Sequence, residues 1–239
     1  MIPSWLRRTR SGDRTRLSSS DDSVLSPERA QYEQRMVWRI AALLLDYPGQ
    51  QTLGMLDELD AAAASLPAPA GPALMSFVAE AHRHPPMELA AHYVETFDLR
   101  RRHCLHLSYY AYGDTRKRGM ALLRFKHAYQ AAGVELGEHE LPDHLPVVLE
   151  FASTVDPVAG QRLLIEYRPV VELLRQSLVE AGSPYAMVLD AVCATLPDLS
   201  VADRRRLAQL AAQGPPQEEV GLEPFGMDPM LTEQGGGRR

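Results

Sequence analysis

Apolar residues recur at helical spacing along most of the chain, and prolines and glycines separate the segments that they define. The first segment has a clear start, because Ser26 suits an N-cap and Pro27 suits a first helical turn. Pro169 is expected to break or kink a later segment, since a proline inside a helix costs about 3 kcal/mol. The pattern predicts helices over about 27–46, 51–65, 72–83, 86–97 and 116–132, one from about 146, one or two within 157–181, and helices over 184–196 and 200–212.

No convincing alternating strand and no internal repeat accompany these segments, so the predicted class is all-α. Residues 1–26 are rich in Ser, Arg and Asp and lack a periodic apolar face, which predicts a disordered N-terminal tail. Residues 27–212 are predicted to form a single-domain helical bundle. Residues 213–239, rich in Pro, Gly and Glu, are predicted to be a disordered C-terminal tail.

Composition describes an ordinary soluble globular protein. The chain has 239 residues, 45% of them hydrophobic, and a formal net charge of −6. Its basic runs are interleaved with acids, which argues against nucleic-acid binding. Cys104 and Cys193 are too few and too far apart for a disulfide framework, which favours a cytoplasmic location.

Neither an export signal nor a membrane span is predicted. Arg7 and Arg8 resemble a twin-arginine signal, but no apolar stretch follows them. No other run approaches the roughly 20 apolar residues that a membrane-spanning helix needs.

The most informative stretch is the loop over residues 140–146, Glu-Leu-Pro-Asp-His-Leu-Pro, which leads into an apolar helical run. Asp143 and His144 fall at the start of that helix, where they are expected to face solvent or a partner. Three explanations are open: a capped helix start, a metal site that uses His139 and His144, or a site that recognises a peptide or protein. The two histidines are five residues apart with Pro142 between them, whereas a zincin needs the spacing i, i+4 on one helix.

Other signals for chemistry are weak. The densest group of soft metal ligands is His103-Cys104-x-His106. No glycine-rich phosphate loop and no Gly-x-Ser-x-Gly elbow is present. These absences favour a binding module over an enzyme.

The loop and its surroundings resemble the NarJ-type nitrate reductase molybdenum cofactor assembly chaperones of the TorD-like family. Residues 140–146 and Leu149-Glu150 carry the likeness, which runs over about residues 36–196. It continues in Tyr93, Phe97-Asp98, Gly113-Asp114, Arg118-Gly119-Met120 and Tyr129-x-x-x-Gly133. Tyr112-Gly113 stands where the family usually has His-Gly, so no role of that histidine carries over.

The resemblance implies a helical chaperone of the TorD/NarJ type and no enzyme. It would bind the N-terminal segment of the apo nitrate reductase catalytic (alpha) subunit and assist insertion of the molybdenum bis-guanine dinucleotide cofactor, without holding a cofactor or metal itself. Further implied partners are the alpha–beta complex and the proteins that deliver the cofactor, and an exposed groove could promote self-association. The chaperone would take no part in the finished enzyme.

Client binding is expected to be of the helix-in-groove type, with apolar walls and a charged rim. Asp143 is predicted to be the rim carboxylate, held by Pro142. His144 beside it is expected to titrate near neutral pH, so that release could depend on pH. Replacing Asp143 by Ala is expected to spare stability.

Seven further residues are candidates for the same site. The predicted groove walls are Tyr93, Phe97, Leu122 and Phe125, and core packing is the alternative for each. Asp98, Asp114 and Arg118 match family positions, and their alternative role is salt bridging and helix capping between residues 86–97 and 116–132.

Two rival functions are retained. One is a chaperone for a different molybdoenzyme, such as a sulfoxide or amine-oxide reductase. The other is an all-α metalloenzyme that would use His103 and His106 or His139 and His144.

Overall fold

A computed structural model describes residues 26–113, 115–137 and 140–214, together with the backbone of residues 6–8. The predicted all-α class is confirmed. The helices of the described residues are α1 (Pro27–Leu44), α2 (Gln50–Leu53), α3 (Leu56–Ala64), α4 (Ala70–Ala81), α5 (Pro86–Tyr93), α6 (Leu107–Tyr112), α7 (Arg116–Ala131), α8 (Leu145–Thr154), α9 (Pro157–Glu166), α10 (Arg168–Glu180), α11 (Tyr185–Ala194) and α12 (Val201–Gln213). Of the predicted tails (1–26 and 213–239), residues 6–8, 26, 213 and 214 are described, and Gln213 is the last residue of α12; the other tail residues lie outside the described ranges.

One short antiparallel strand pair was not predicted. Strand β1 (Leu6–Arg8) pairs with strand β2 (Val134–Leu136), which follows α7 directly. The expectation that the chain has no strand is therefore wrong at these six residues. Three-residue strands are too short to show the alternation by which a strand is recognised in a sequence.

Helix α1 packs against α8 at the centre of the core. Ser26 caps α1 by accepting a hydrogen bond from the Arg29 N–H at 3.2 Å. Trp38, midway along α1, is fully buried. An ion pair between Arg39 and the buried Glu150 of α8 joins the two helices. Helix α8 is thus enclosed by the molecule, which fixes the direction of the loop that precedes it.

The observed helix bounds differ from the predicted ones in informative ways. The segment predicted over 51–65 is divided at Gly54, between α2 and α3. The segment predicted over 157–181 is divided at Tyr167, two residues before Pro169, so the predicted proline break is confirmed. After α5 the chain widens into a π-helical turn (Val94–Asp98), and a 3₁₀ turn (Arg101–His103) follows.

Within the part of the chain that the structure describes, none of the helices has both the length and the apolar character needed to cross a membrane.

Candidate functional site

The 140–146 loop is tied to its surroundings by backbone and side-chain hydrogen bonds. Its Pro142 carbonyl accepts a hydrogen bond from the buried Tyr129 hydroxyl of α7 at 2.7 Å. The Leu107 N–H donates to the Asp143 carbonyl at 3.0 Å, and the Leu145 N–H donates to the Leu105 carbonyl at 2.9 Å. The loop is therefore fastened both to α7 and to the segment that leads into α6.

Asp143 is the centre of this arrangement. Its side chain is fully buried and accepts hydrogen bonds from the Ser108 N–H at 3.0 Å and the Ser108 hydroxyl at 2.5 Å. The His106 Nδ1 lies 3.3 Å from its other oxygen. Ser108 is the second residue of α6, so Asp143 provides the side-chain cap that His106, at the N-cap position, does not.

The pKa of Asp143 results from opposing effects. Burial alone would raise it, but the hydrogen bonds from His106 and Ser108 outweigh burial and leave the pKa below its usual value. The carboxylate is therefore ionised at neutral pH although its side chain is fully buried.

The prediction that Asp143 forms an exposed rim is wrong for this structure. Because Asp143 lies near the start of α8, it was expected to face solvent there. In the structure its side chain points inward and caps α6 instead. Pro142 is buried beside it. Any contact of either residue with a client stays a prediction.

His144 also differs from its prediction. Its ring is packed at 5.0 Å from the ring of His106, and burial, followed by the charge of His106, lowers the pKa of His144 to about 4. The imidazole is therefore neutral near pH 7, and the expected titration near neutral pH is wrong.

Two hollows flank the loop, and Glu140 lines both of them. The α1–α8 hollow, of about 170 Å³, is also lined by Asp46, His144 and Glu150. The α7–β2 hollow, of about 300 Å³, lies between α7 and β2 and is also lined by Glu135 and by one cation, Lys126. The surface on both sides of the loop is therefore predominantly acidic.

The carboxylates of the α1–α8 hollow are not equivalent. Glu150 is already neutralised by Arg39. Desolvation by neighbouring protein raises the pKa of Asp46, and a hydrogen bond from the Tyr47 N–H at 2.8 Å opposes part of that rise. Neither Asp46 nor Glu140 forms an ion pair with another described residue, so these two carboxylates are the groups best suited to receive a basic side chain.

Three of the four predicted groove walls lie in the core. Phe97 packs against Tyr93 at 4.9 Å and against Tyr185 at 4.8 Å between ring centroids. Phe125 is fully buried against Tyr167 at 5.1 Å. Only Leu122 is half-buried. The expectation that Tyr93, Phe97 and Phe125 line an open groove is therefore wrong, since each is enclosed by neighbouring aromatic rings.

The remaining predicted residues are not brought to the loop network. Asp98 is exposed at the end of the π-helical turn, and no ion pair joins it to another described residue. Arg118 is half-buried, with its guanidinium 5.3 Å from the centroid of the Tyr109 ring. This cation–π contact joins α6 to α7. Asp114 lies outside the described residues.

The residues considered for metal binding have other partners. The His103 Nδ1–H donates to the Thr96 carbonyl at 3.0 Å within the π-helical region, and His106 faces Asp143. Over the described ranges no three His, Cys, Asp or Glu side chains converge as a metal site. His139 lies outside those ranges.

A further hollow was missed by the sequence analysis. The α4–α11 hollow, of about 360 Å³, is walled by Phe77, Leu89 and Tyr185 and rimmed by Glu80 and Glu88, among others. His84 lies between the two acids, 3.2 Å from Glu80 and 3.3 Å from Glu88. Its members come from three helices, so only the tertiary structure reveals it.

The acids beside the loop were also missed as a group. Glu140 opens the recognised motif, which was the one available signal for it. Asp46 lies about a hundred positions away, and only the packing of α1 on α8 brings the two together. Fold and site thus define an all-helical protein whose distinctive surface is a braced loop with an acidic hollow on either side.

Comparison with known proteins identifies the family. A family model described as nitrate reductase delta subunit matches residues 56–190, which include the loop, helices α3 to α10 and the first six residues of α11. The chain belongs to the nitrate reductase delta subunit family.

Individual relatives agree with this family. The nitrate reductase-like protein NarX of Mycobacterium tuberculosis is 46% identical over 160 residues, which are 67% of this chain and 24% of that protein. The chain thus spans about a quarter of that relative. The probable nitrate reductase molybdenum cofactor assembly chaperone NarJ of Bacillus subtilis is 33% identical over 130 residues, 54% of this chain and 71% of that protein. The nitrate reductase molybdenum cofactor assembly chaperone NarJ of Escherichia coli K12 is 32% identical over 154 residues, 63% of this chain and 65% of that protein.

Proposed function

We propose that this protein is an assembly chaperone for a respiratory nitrate reductase. It would bind the N-terminal segment of the apo catalytic subunit and keep it competent for insertion of the molybdenum cofactor. One observation carries the proposal: the family match spans the braced loop, and relatives matched over 71% and 65% of their own lengths are named as such chaperones.

The acidic surface beside the loop supports a client segment that carries basic residues. Glu140 lies between the two hollows, Asp46 lies on one side of it and Glu135 on the other. Opposite charges at a rim steer a partner and fix its orientation, while apolar contacts supply most of the affinity. In this proposal Glu140 is the principal contact for a client Lys or Arg.

The buried network supports the same role through rigidity. Asp143 and Tyr129 fix residues 142 and 143 from inside, and in this proposal that limits the positions available to Glu140 before the client arrives. Less ordering is then needed on binding, which favours affinity. Asp143 acts here as a positioning residue and does not touch the client.

The chaperone would itself be neither an enzyme nor a cofactor carrier, and it would act in the cytoplasm before the enzyme reaches its final site. The alpha–beta complex and cofactor-delivery proteins are further proposed partners. A client from another class of molybdoenzyme is the second candidate, but the relatives named above all refer to nitrate reductase.

Calorimetric titration with a peptide from the N-terminus of the nitrate reductase catalytic subunit of the same organism tests the proposal. Wild type should bind with a dissociation constant in the micromolar range or below. Glu140→Lys should weaken binding at least tenfold, because it places a cation where the client's cation is expected.

The matched control is Glu180→Lys, which makes the same charge change at an exposed position in the last turn of α10 that lines none of the three hollows. It should bind as wild type does. Equal affinity of Glu140→Lys and wild type would remove the loop surface from the proposal, and absence of binding to folded wild type would overturn the choice of client.

A further inference from the structure

The edge of β2 is occupied by the chain's own N-terminal segment. Strand β1 pairs antiparallel to β2 with Leu6 opposite Leu136, Arg7 opposite Glu135 and Arg8 opposite Val134. In the described sheet β1 is the partner of β2, and its pairing takes up an edge that would otherwise be open. An open edge presents unpaired backbone groups to which an extended segment can add.

The two faces of β2 differ in chemistry. Val134 is buried and Leu136 half-buried, whereas Glu135 between them is exposed. Residues directly opposite each other in an antiparallel pair share a face, so the register places Arg7 on the face of Glu135 and Leu6 on the face of Leu136. Two of the three pairs are therefore chemically matched, an arginine with an acid and a leucine with a leucine, whereas Arg8 lies opposite the buried Val134.

The β2 edge lies beside the α7–β2 hollow. Glu135 and Leu136 line the α7–β2 hollow together with Glu140. A segment paired with β2 thus lies beside the hollow that an incoming basic peptide would approach.

We propose that the β2 edge is a recognition site for extended, arginine-bearing peptides and that residues 6–8 occupy it as a tethered competitor. A pair of three-residue strands is marginal on its own, so the competitor can be displaced. Because it is attached to the domain, it competes at the high effective concentration of an intramolecular ligand. That it also competes with a client rests on the function proposed above; the pairing itself does not.

Fluorescence anisotropy with a labelled peptide of residues 1–12 of this chain tests the site without any client. The protein is the full chain, either wild type or Arg7→Glu, which places two acids opposite each other and should release the edge. The peptide should bind Arg7→Glu at least tenfold more tightly than it binds wild type. Equal affinity of the two folded proteins would overturn the proposal.

A charge exchange separates the specific edge from general attraction. The double variant Arg7→Glu with Glu135→Lys should no longer bind the wild-type peptide, because the new lysine at position 135 pairs with the new glutamate at position 7 of the same chain. Arg7→Glu with Glu180→Lys has the same net charge and should still bind the peptide. If both double variants bind alike, only overall charge matters and the β2 edge is not the site.

Pairing within one molecule can be measured separately by cross-linking. Arg7→Cys with Glu135→Cys should form an intramolecular disulfide under mild oxidation, with a yield several times that of Arg8→Cys with Glu135→Cys. The second pair places the two cysteines on opposite faces in the observed register. Equal yields would contradict the register and with it the tethered competitor.

Discussion

Replacement of Asp143 by Ala should lower stability substantially, because this buried carboxylate holds α6 and the loop together. The change removes the side-chain cap of α6, worth about 1 kcal/mol. It also removes the charge-assisted hydrogen bonds from the Ser108 hydroxyl and from His106, and bonds of this kind are worth about 1.5–3 kcal/mol. Because Asp143→Ala also removes the desolvation cost of the buried carboxylate, part of this loss is offset, and the free energy of unfolding should fall by about 3 kcal/mol. For a domain of this size that corresponds to a fall in Tm of about 6–12 °C.

Thermal and urea denaturation followed by circular dichroism measure this effect. Asp143→Asn keeps an acceptor for the Ser108 N–H and should lose less stability than Asp143→Ala. Asp98→Ala, which removes an exposed carboxylate, should melt close to wild type. If Asp143→Ala also melted within about 2 °C of wild type, the side chain would not be the buried cap inferred here.

Three further predictions concern stability near the loop and its supporting helix. Burial lowers the pKa of His144 to about 4 in the folded state, whereas the pKa of an unfolded histidine is about 6.5. Between these two values the unfolded state binds a proton that the folded state does not bind. The free energy of unfolding should therefore fall as the pH drops from about 6.5 to 4. His144→Gln should flatten that part of a urea-stability profile by up to about 3 kcal/mol, and an unchanged profile would contradict the assignment. A Cβ on Gly160 would lie 2.4 Å from the Ala152 Cα, so Gly160→Ala should force α8 and α9 apart and cost about 2 kcal/mol; a higher Tm would refute the close contact. Tyr129→Phe should lower the free energy of unfolding, measured by urea denaturation, by about 1 kcal/mol, because the Pro142 carbonyl loses its 2.7 Å donor; an unshifted urea midpoint would count against that bond.

Sequence reasoning succeeded where local signals determine structure. The start of α1 follows from Ser26 and Pro27, and the break before α10 follows from Pro169. Such features act within a few residues, so they can be read without knowing the fold.

It failed where distant segments act on one another. Helix α6 is six residues long and receives its side-chain cap from Asp143, 35 positions beyond Ser108, so no local start signal marks it. For the same reason Asp143 was expected to serve α8 and face solvent. The π-helical turn after α5 is another example, since no Pro or Gly marks it.

The candidate site was predicted in part. The position of the loop was predicted correctly, but the sequence did not show that acidic side chains from distant segments lie together beside it. Glu140 and Asp46 line the same hollow only because α1 packs on α8. Tyr93 and Phe97 are buried and do not line a groove, because Tyr185 packs between α4 and α5. Both outcomes depend on contacts between helices that are remote in sequence.

A role in assembly should change the molybdenum content of the nitrate reductase catalytic subunit when the subunit is made without this protein. The subunit should be purified from a strain that lacks the gene and from strains complemented with wild type, Glu140→Lys or Glu180→Lys. We expect cofactor-poor enzyme in the deletion strain and with Glu140→Lys, and we expect wild type and Glu180→Lys to restore loading. Fully loaded enzyme in the deletion strain would contradict a role in assembly.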